Sequence, residues 1–251
     1  MKPKKALAQH FLHEKRFLER IAEDCPIEGE EILEIGAGTG NLTVYLARRG
    51  KRVYALEKDP EALEILSSLE LPNVSVIKGD ALEIPWDFFP QGVCAGNLPY
   101  YISSPLLRKF LEHRERFKAG CFLLQWELAE KFTSFQGRKT SPLSLLIYNF
   151  YRGKLLFKVP PGAFAPPPKV RSGFVLFERR EKPLFGFDLE EMEHFLRLIF
   201  SHRRKTIYNN LRGFYSEEEI NFLPRNLRPE EASLKDLVEI FRKIKSQQHV
   251  K

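Results

Sequence analysis

The stretch that most limits how this chain can fold is EEILEIGAGTGNLTVYLARR (30–49). A short apolar strand pattern runs straight into Gly36, Gly38 and Gly40, and a helical pattern follows. Strand, glycine turn and helix in that order predict a parallel sheet with helices on its faces. Glycine lets such a turn take positive φ and approach a ligand closely. The helix start offers free N–H groups and partial positive charge. In doubly wound sheets this first turn is the usual ligand crevice. The competing reading is a glycine turn that serves helix–strand packing alone.

The alternation continues. KRVYALE (51–57) precedes the helical DPEALEILSSL, and NVSVIKG (73–79), QGVCAGN (91–97) and AGCFLLQ (119–125) read as further strands. LLFKVP (155–160) and SGFVLFE (172–178) read as two late strands, a hairpin closing one edge. After RREKPLFG (179–186) the chain reads as helices: LEEMEHFLRLIFSH, RRKTIYNNLR, SEEEINFL and SLKDLVEIFRKIK. This predicts a boundary near residue 180, with domains 1–180 and 181–251. The 251 residues, 43% hydrophobic, suffice for one α/β domain and a small appendage. No apolar run reaches the roughly eighteen residues of a membrane span. The basic start has no long apolar region or cleavage site of a secretory signal. Cys25, Cys94 and Cys121 show no CxxC spacing, which predicts reduced thiols, no structural zinc and a cytoplasmic protein.

Glu57 ends the second strand, twenty-one residues after Gly36. A carboxylate there can accept hydrogen bonds from ribose hydroxyls. A nicotinamide site would prefer GxGxxG/A, but Asn41 holds the sixth position. Glu34 stands two residues before the first glycine and completes ExGxGxG, which favours S-adenosylmethionine over a dinucleotide. There is no P-loop pattern. Asp80, in KGDAL, can take the adenine amine of that cofactor while the N–H of Ala81 meets a ring nitrogen; alone it reads equally as a helix cap. Gly36, Ala37, Gly38, Glu57, Lys58, Asp80 and Ala81 are therefore the expected cofactor wall.

Asn97-Leu98-Pro99-Tyr100 follows the fourth strand and would border the same crevice. An adenine N6 amine is a poor nucleophile because its lone pair is delocalised into the ring. The Asn97 side-chain carbonyl and a backbone carbonyl at Leu98 or Pro99 can accept its two N–H bonds and aim the lone pair at a methyl donor. Pro99 fixes φ and has no N–H. Tyr100 offers a ring on which an extruded base stacks. The donor leaves as a neutral thioether, so positioning outweighs base catalysis. The alternative is an ordinary Asn-x-Pro turn.

AQHFL (8–12), LEIGAGTGNLT (33–43), LEKD (56–59), GDAL (79–82), NLPYYISSP (97–105), FAPPPKVRS (164–172) and FSHRRKTIYNNL (200–211) together resemble the small-subunit ribosomal RNA adenine-N6,N6-dimethyltransferases. The resemblance implies a Rossmann-like class I S-adenosylmethionine-dependent methyltransferase of α/β class, with a mostly parallel doubly wound sheet and a small all-helical C-terminal domain contributing to rRNA binding. It implies that two adjacent adenosines in a hairpin near the 3′ end of 16S rRNA each receive two methyl groups during late ribosome assembly. The implied partner is the immature 30S particle, with no membrane and no metal, and the protein acts as a monomer. Cofactor contacts are implied from Gln9, His10, Leu12, Gly36, Glu57, Asp80 and Asn97. Ala8 departs from the family's usual glycine. By pattern alone, Gln9 and His10 cap the amphipathic helix FLHEKRFLERIA.

Phe164, in the loop PPGAFAPPPKV, reads either as an aromatic plug at the domain edge or as the second face of a base stack opposite Tyr100. The net charge of +7 favours polyanion encounter. Ser201 to Tyr215 contains no acid, so Arg203, Arg204, Lys205 and Arg212 form either a solvated helix face or a phosphate track, which Lys4, Lys5 and Lys169 would extend. Competing functions are a macrolide-resistance methyltransferase of large-subunit rRNA, a DNA adenine methyltransferase, and a non-catalytic assembly factor. FAPPPKV and the RRKT helix argue against the first. Leu98 speaks against the second, whose motif is Asp/Asn-Pro-Pro-Tyr. Intact Glu57, Asp80 and Asn97 oppose the third.

Overall fold

The computed structural model describes residues 10–248 of the 251. Lys4, Lys5, Ala8 and Gln9 lie outside the described residues. In chain order come β1 (Phe11–Leu12), α1 (Lys15–Asp24), β2 (Glu31–Ile35), α2 (Thr43–Ala47), β3 (Arg52–Glu57), α3 (Pro60–Ser67), β4 (Val74–Lys78), β5 (Gly92–Asn97), α4 (Ser103–Glu112), β6 (Phe117–Gln125), α5 (Trp126–Thr133), α6 (Pro142–Phe150), β7 (Tyr151–Val159), β8 (Phe164–Ala165) and β9 (Ser172–Arg179). The helices α7 (Leu189–Ile199), α8 (Ile207–Leu211), α9 (Glu217–Ile220) and α10 (Leu234–Gln248) follow.

Among the described residues the main sheet has seven strands in the order β4-β3-β2-β5-β6-β9-β7. β4, β3, β2, β5 and β6 pair in parallel, and β9 pairs antiparallel to β6. The chain winds outward from β2 through β3 to β4, then returns to β5 on the other side of β2. That reversal opens a crevice at the carboxyl ends of β2 and β5. The central strands are mostly apolar and buried along their middles, as in a sheet covered on both faces. Val53, Ala55, Val93, Ala95 and Phe122 are fully buried. Gly96 keeps β5 close to β2, since a Cβ there would stand 2.4 Å from the Ile35 carbonyl oxygen. The late strands fall as expected, with β7 outermost beside β9.

The chain divides into two compact units. One combines residues up to 129 with Arg152–Arg179, and carries the sheet. The other combines Glu130–Tyr151 with the residues from Arg180 on, and is helical. In the second unit Asp188 caps α7 through the Glu191 N–H, and Met192, Leu196, Phe195, Leu237 and Phe241 form buried faces of α7 and α10.

Three helices differ from their sequence patterns. The front helix begins at Lys15 rather than at Phe11, because Phe11 and Leu12 pair instead with Ala165 and Phe164 in a two-stranded ribbon. α2 begins at Thr43 with no side-chain cap, within a residue of its pattern, but ends at Ala47, two residues short of it. The RRKT segment is not helical. Thr206 caps α8 through the Asn209 N–H, so the helix starts after it, and Arg203, Arg204 and Lys205 lie in the preceding turn. The helices α4, α5 and α6 have no counterpart in the sequence reading. α6 did carry a signal: Ser141 and Ser144 form a reciprocal capping box with Pro142 at the first position.

Candidate active site

At the carboxyl ends of β2, β3 and β5 lies a cleft of about 760 Å³, counting its open mouth. His10, Gly36, Gly38, Glu57, Lys58, Asp80, Ala81 and Asn97 to Tyr101 line it, with Phe11, Ile35 and Leu56 as apolar wall.

The glycine turn takes positive φ at Gly36 (68°), Gly38 (57°) and Gly40 (88°). Side chains other than glycine resist that geometry. At Gly38 a Cβ would also stand 2.8 Å from the Phe11 ring. The N–H groups of Gly36 and Ala37 both go to the Leu56 carbonyl, at 2.9 and 3.1 Å. They are therefore spent inside the protein. The turn contributes close backbone approach instead.

Glu57 closes β3 and is 7% exposed. Its Oε2 accepts the Gly38 N–H at 2.8 Å, and its Oε1 accepts those of Lys58 and Asp59, each at 2.8 Å. A carboxylate has about four acceptor sites, so capacity for one further donor remains on Oε2. Asp80 accepts the Leu82 N–H at 2.9 Å and pairs with the Lys58 ammonium at 3.2 Å. Partial burial pushes the Asp80 carboxyl up, but the Leu82 N–H, the Lys58 contact and the Lys109 charge outweigh it and hold the group below its ordinary value. The cleft thus presents two carboxylates, a fit for a ligand with hydroxyl and amine donors and a cationic sulfur.

Asn97 ends β5, and its Nδ2 donates to the His10 carbonyl at 2.8 Å. That bond fixes the amide so that Oδ1 is the acceptor left over, and no described residue donates to it. The Pro99 carbonyl already accepts the Ile102 N–H at 3.1 Å and the Ser103 hydroxyl at 2.9 Å. Of the two backbone carbonyls expected to help bind an amine, Leu98 is the one without a donor among the described residues. The Leu98 N–H extends the sheet to Leu123 at 3.1 Å. Tyr100 donates to or accepts from the Ser172 hydroxyl at 2.6 Å, and its ring centroid lies 5.5 Å from that of His10. Burial pushes the Tyr100 phenol up, with the Ser172 bond opposing.

Beneath the turn, Glu34 is 1% exposed and its Oε2 has no partner among the described residues. Burial pushes its carboxyl up to about 8, against the Thr43 hydroxyl, with the Glu57 charge adding to the rise. The folded protein therefore holds this proton where an unfolded chain, with its value near 4.5, has lost it. Stability from this group is complete below pH ~4.5 and is lost as pH rises through ~8, a change on the order of 5 kcal/mol. Glu34→Gln is expected to flatten the fall in melting temperature between pH 5 and 8, read by thermal unfolding at several pH values. An unchanged slope would show that Glu34 is ionised throughout.

The ribosomal RNA adenine dimethylase family matches residues 1–245. The chain belongs to that family. It is 37% identical over 245 residues to the ribosomal RNA small subunit methyltransferase A of Thermotoga maritima, covering 96% of this chain and 85% of that protein. The crystal structure of a dimethyladenosine transferase from Plasmodium falciparum superposes with a TM-score of 0.82 at 26% identity, covering 95% of this chain and 98% of that one. The 23S rRNA methyltransferase ErmE superposes at 0.74 with 26% identity, over 94% and 99% of the two chains. As a ribosomal RNA adenine dimethylase with this sheet order, the protein is a class I S-adenosylmethionine-dependent methyltransferase.

In this dimethylase the structure gathers His10, Gly36, Gly38, Glu57, Lys58, Asp80, Ala81 and Asn97 to Tyr100 along one cleft. Leu12 and Ala37 line a small adjoining pocket with Glu34, and the Leu12 carbonyl is bonded to Asn41 Nδ2 at 2.8 Å. Phe164 is placed elsewhere. It is 2% exposed within the core beside Leu12, because β8 pairs with β1, so it forms no wall of the cleft. His10 is not a helix cap either: its Nδ1 meets the Pro166 carbonyl at 2.8 Å and α1 starts five residues later. Tyr101, 51% exposed and on the cleft wall, was missed by pattern reasoning, although it directly follows the tetrapeptide. The three cysteines are free and buried, and no three His, Cys, Asp or Glu among the described residues cluster as a metal site.

Proposed function

We propose that the chain dimethylates the N6 amine of two adjacent adenosines in a hairpin near the 3′ end of 16S rRNA, on an immature 30S particle in the cytoplasm. The observation that carries this reading is the Asn97 amide, whose nitrogen is held by His10, on the wall of the cleft that Glu57 and Asp80 also line. S-adenosylmethionine, when bound, supplies the methyl group. Glu57 would hold the ribose, Asp80 and the Ala81 N–H the adenine ring, and Lys58 would keep Asp80 ionised and oriented. Asn97 Oδ1 and the Leu98 carbonyl would take the two N–H bonds of the target amine, so that its lone pair points along the cleft. Tyr100, held by Ser172, would support the extruded base. Incubating the protein and labelled cofactor with undermethylated 30S and with 50S particles tests this. Label is expected at two neighbouring adenosines of the small-subunit RNA, and label confined to the 50S RNA would overturn the assignment.

The 181–251 segment would add phosphate contacts. Arg203 donates to the Arg138 and Thr140 carbonyls, each at 2.6 Å, so its guanidinium is engaged in holding the helical unit together. Arg204 and Lys205 are exposed, as is Arg212, and better suited to phosphate. Arg204→Ala with Lys205→Ala is expected to reduce the slope of log affinity against log salt by about 1–2, measured by particle binding at several ionic strengths. The same slope in variant and parent would remove these two side chains from the RNA interface.

A further inference from the structure

Beside the cleft lies a second groove of about 850 Å³ that the reaction does not use. Trp126, Pro161 and Val170 line it together with the polar Gln125, Glu127, Lys169 and Arg171. It is built into the sheet. Trp126 opens α5 directly after β6, and its backbone N–H donates to the Arg171 carbonyl at 2.9 Å. Gly173 makes room for the indole: a Cβ there would stand 3.2 Å from Trp126 Cε3 and closer still to Ala129 and Leu155. The Lys158 ammonium sits 4.3 Å from the indole centroid. Val170 is 45% exposed, a large apolar side chain left open beside an aromatic.

The groove is continuous with the catalytic loop. Ser172, next to Arg171, is the residue that holds Tyr100. Gln125, paired with Ser172, lies two residues along β6 from Leu123, the partner of Asn97. That is about 7 Å of strand. An aromatic and apolar floor with Lys158, Lys169 and Arg171 against the single carboxylate of Glu127 suits a base carried on a phosphate chain.

We infer that this groove seats the nucleotide next to the adenosine held at Asn97, its base on Trp126 and Val170 and its phosphate on Lys169 and Arg171. The inference rests on the RNA methylation proposed above and adds a second subsite to it. For substrates with two neighbouring targets, such a subsite would hold one adenosine while its neighbour reacts.

Trp126→Ala is expected to raise KM for undermethylated 30S particles about tenfold, the worth of one stacked base, with cofactor affinity retained as a check on folding. Trp126→Phe should restore most of the loss, which a purely structural indole would not predict. Trp86 is fully buried, so a short oligoadenylate should quench tryptophan emission of the parent but not of Trp126→Phe. An unchanged KM in Trp126→Ala, or equal quenching in parent and Trp126→Phe, would overturn the groove while leaving the methylation standing. A parent that methylates no RNA would overturn both.

Discussion

Asn97→Ala is expected to cut the single-turnover methylation rate by about a hundredfold or more, the usual consequence of losing a positioning hydrogen bond at a reacting atom. Two effects combine. The proposed acceptor for the target amine disappears, and the His10 carbonyl loses the Nδ2 donor that ties the front segment to the Asn97 loop. Asn97→Asp separates them. It keeps an acceptor but sets a carboxylate oxygen against the His10 carbonyl, so it should remain deeply impaired despite the retained oxygen. Particle binding by Asn97→Ala should stay near the parent's value. Equal rates in variant and parent would take Asn97 out of the chemistry.

The second large effect is expected at Glu57. Glu57→Ala should weaken S-adenosylmethionine binding by roughly ten- to a hundredfold, since hydrogen bonds to a charged group are worth about 1.5–3 kcal/mol. It also strips a partner from the Gly38, Lys58 and Asp59 N–H groups, so the ligand-free protein should melt earlier. Calorimetric titration measures the first effect and thermal unfolding without cofactor the second. A lower melting temperature with unchanged cofactor affinity would make Glu57 a brace of the glycine turn and nothing more.

The sheet was legible in the sequence because its strands are short apolar runs punctuated by turn residues, and their order follows from the winding rules. β2, β3, β4, β5, β6 and β9 fall within a residue or two of their patterns. What the pattern hid was non-local pairing. Phe11 and Leu12 look like the first turn of an amphipathic helix, and only their partners Ala165 and Phe164, far along the chain, make them a strand. The same pairing takes Phe164 into the core. The basic RRK segment carries helix-forming residues, yet one threonine cap decides where the helix starts. At the site, residue types announced the carboxylates and the asparagine. Which oxygens and N–H groups were already spent, on Leu56, on Ile102 and Ser103, or on Glu57 itself, could be read only from coordinates.

The bond from Asn97 to the His10 carbonyl also bears on how the protein lets go of a finished target. An amide pinned at its nitrogen cannot turn over, so under the proposed role the Asn97 side chain and the Leu98 carbonyl would offer a target amine oxygen lone pairs only. An unmodified adenine brings two hydrogens to meet them, a once-modified base brings one, and a completed base brings none. Each round removes part of the grip, and a fully decorated base meets the loop with two methyl groups facing two oxygens, a pairing with no attraction left.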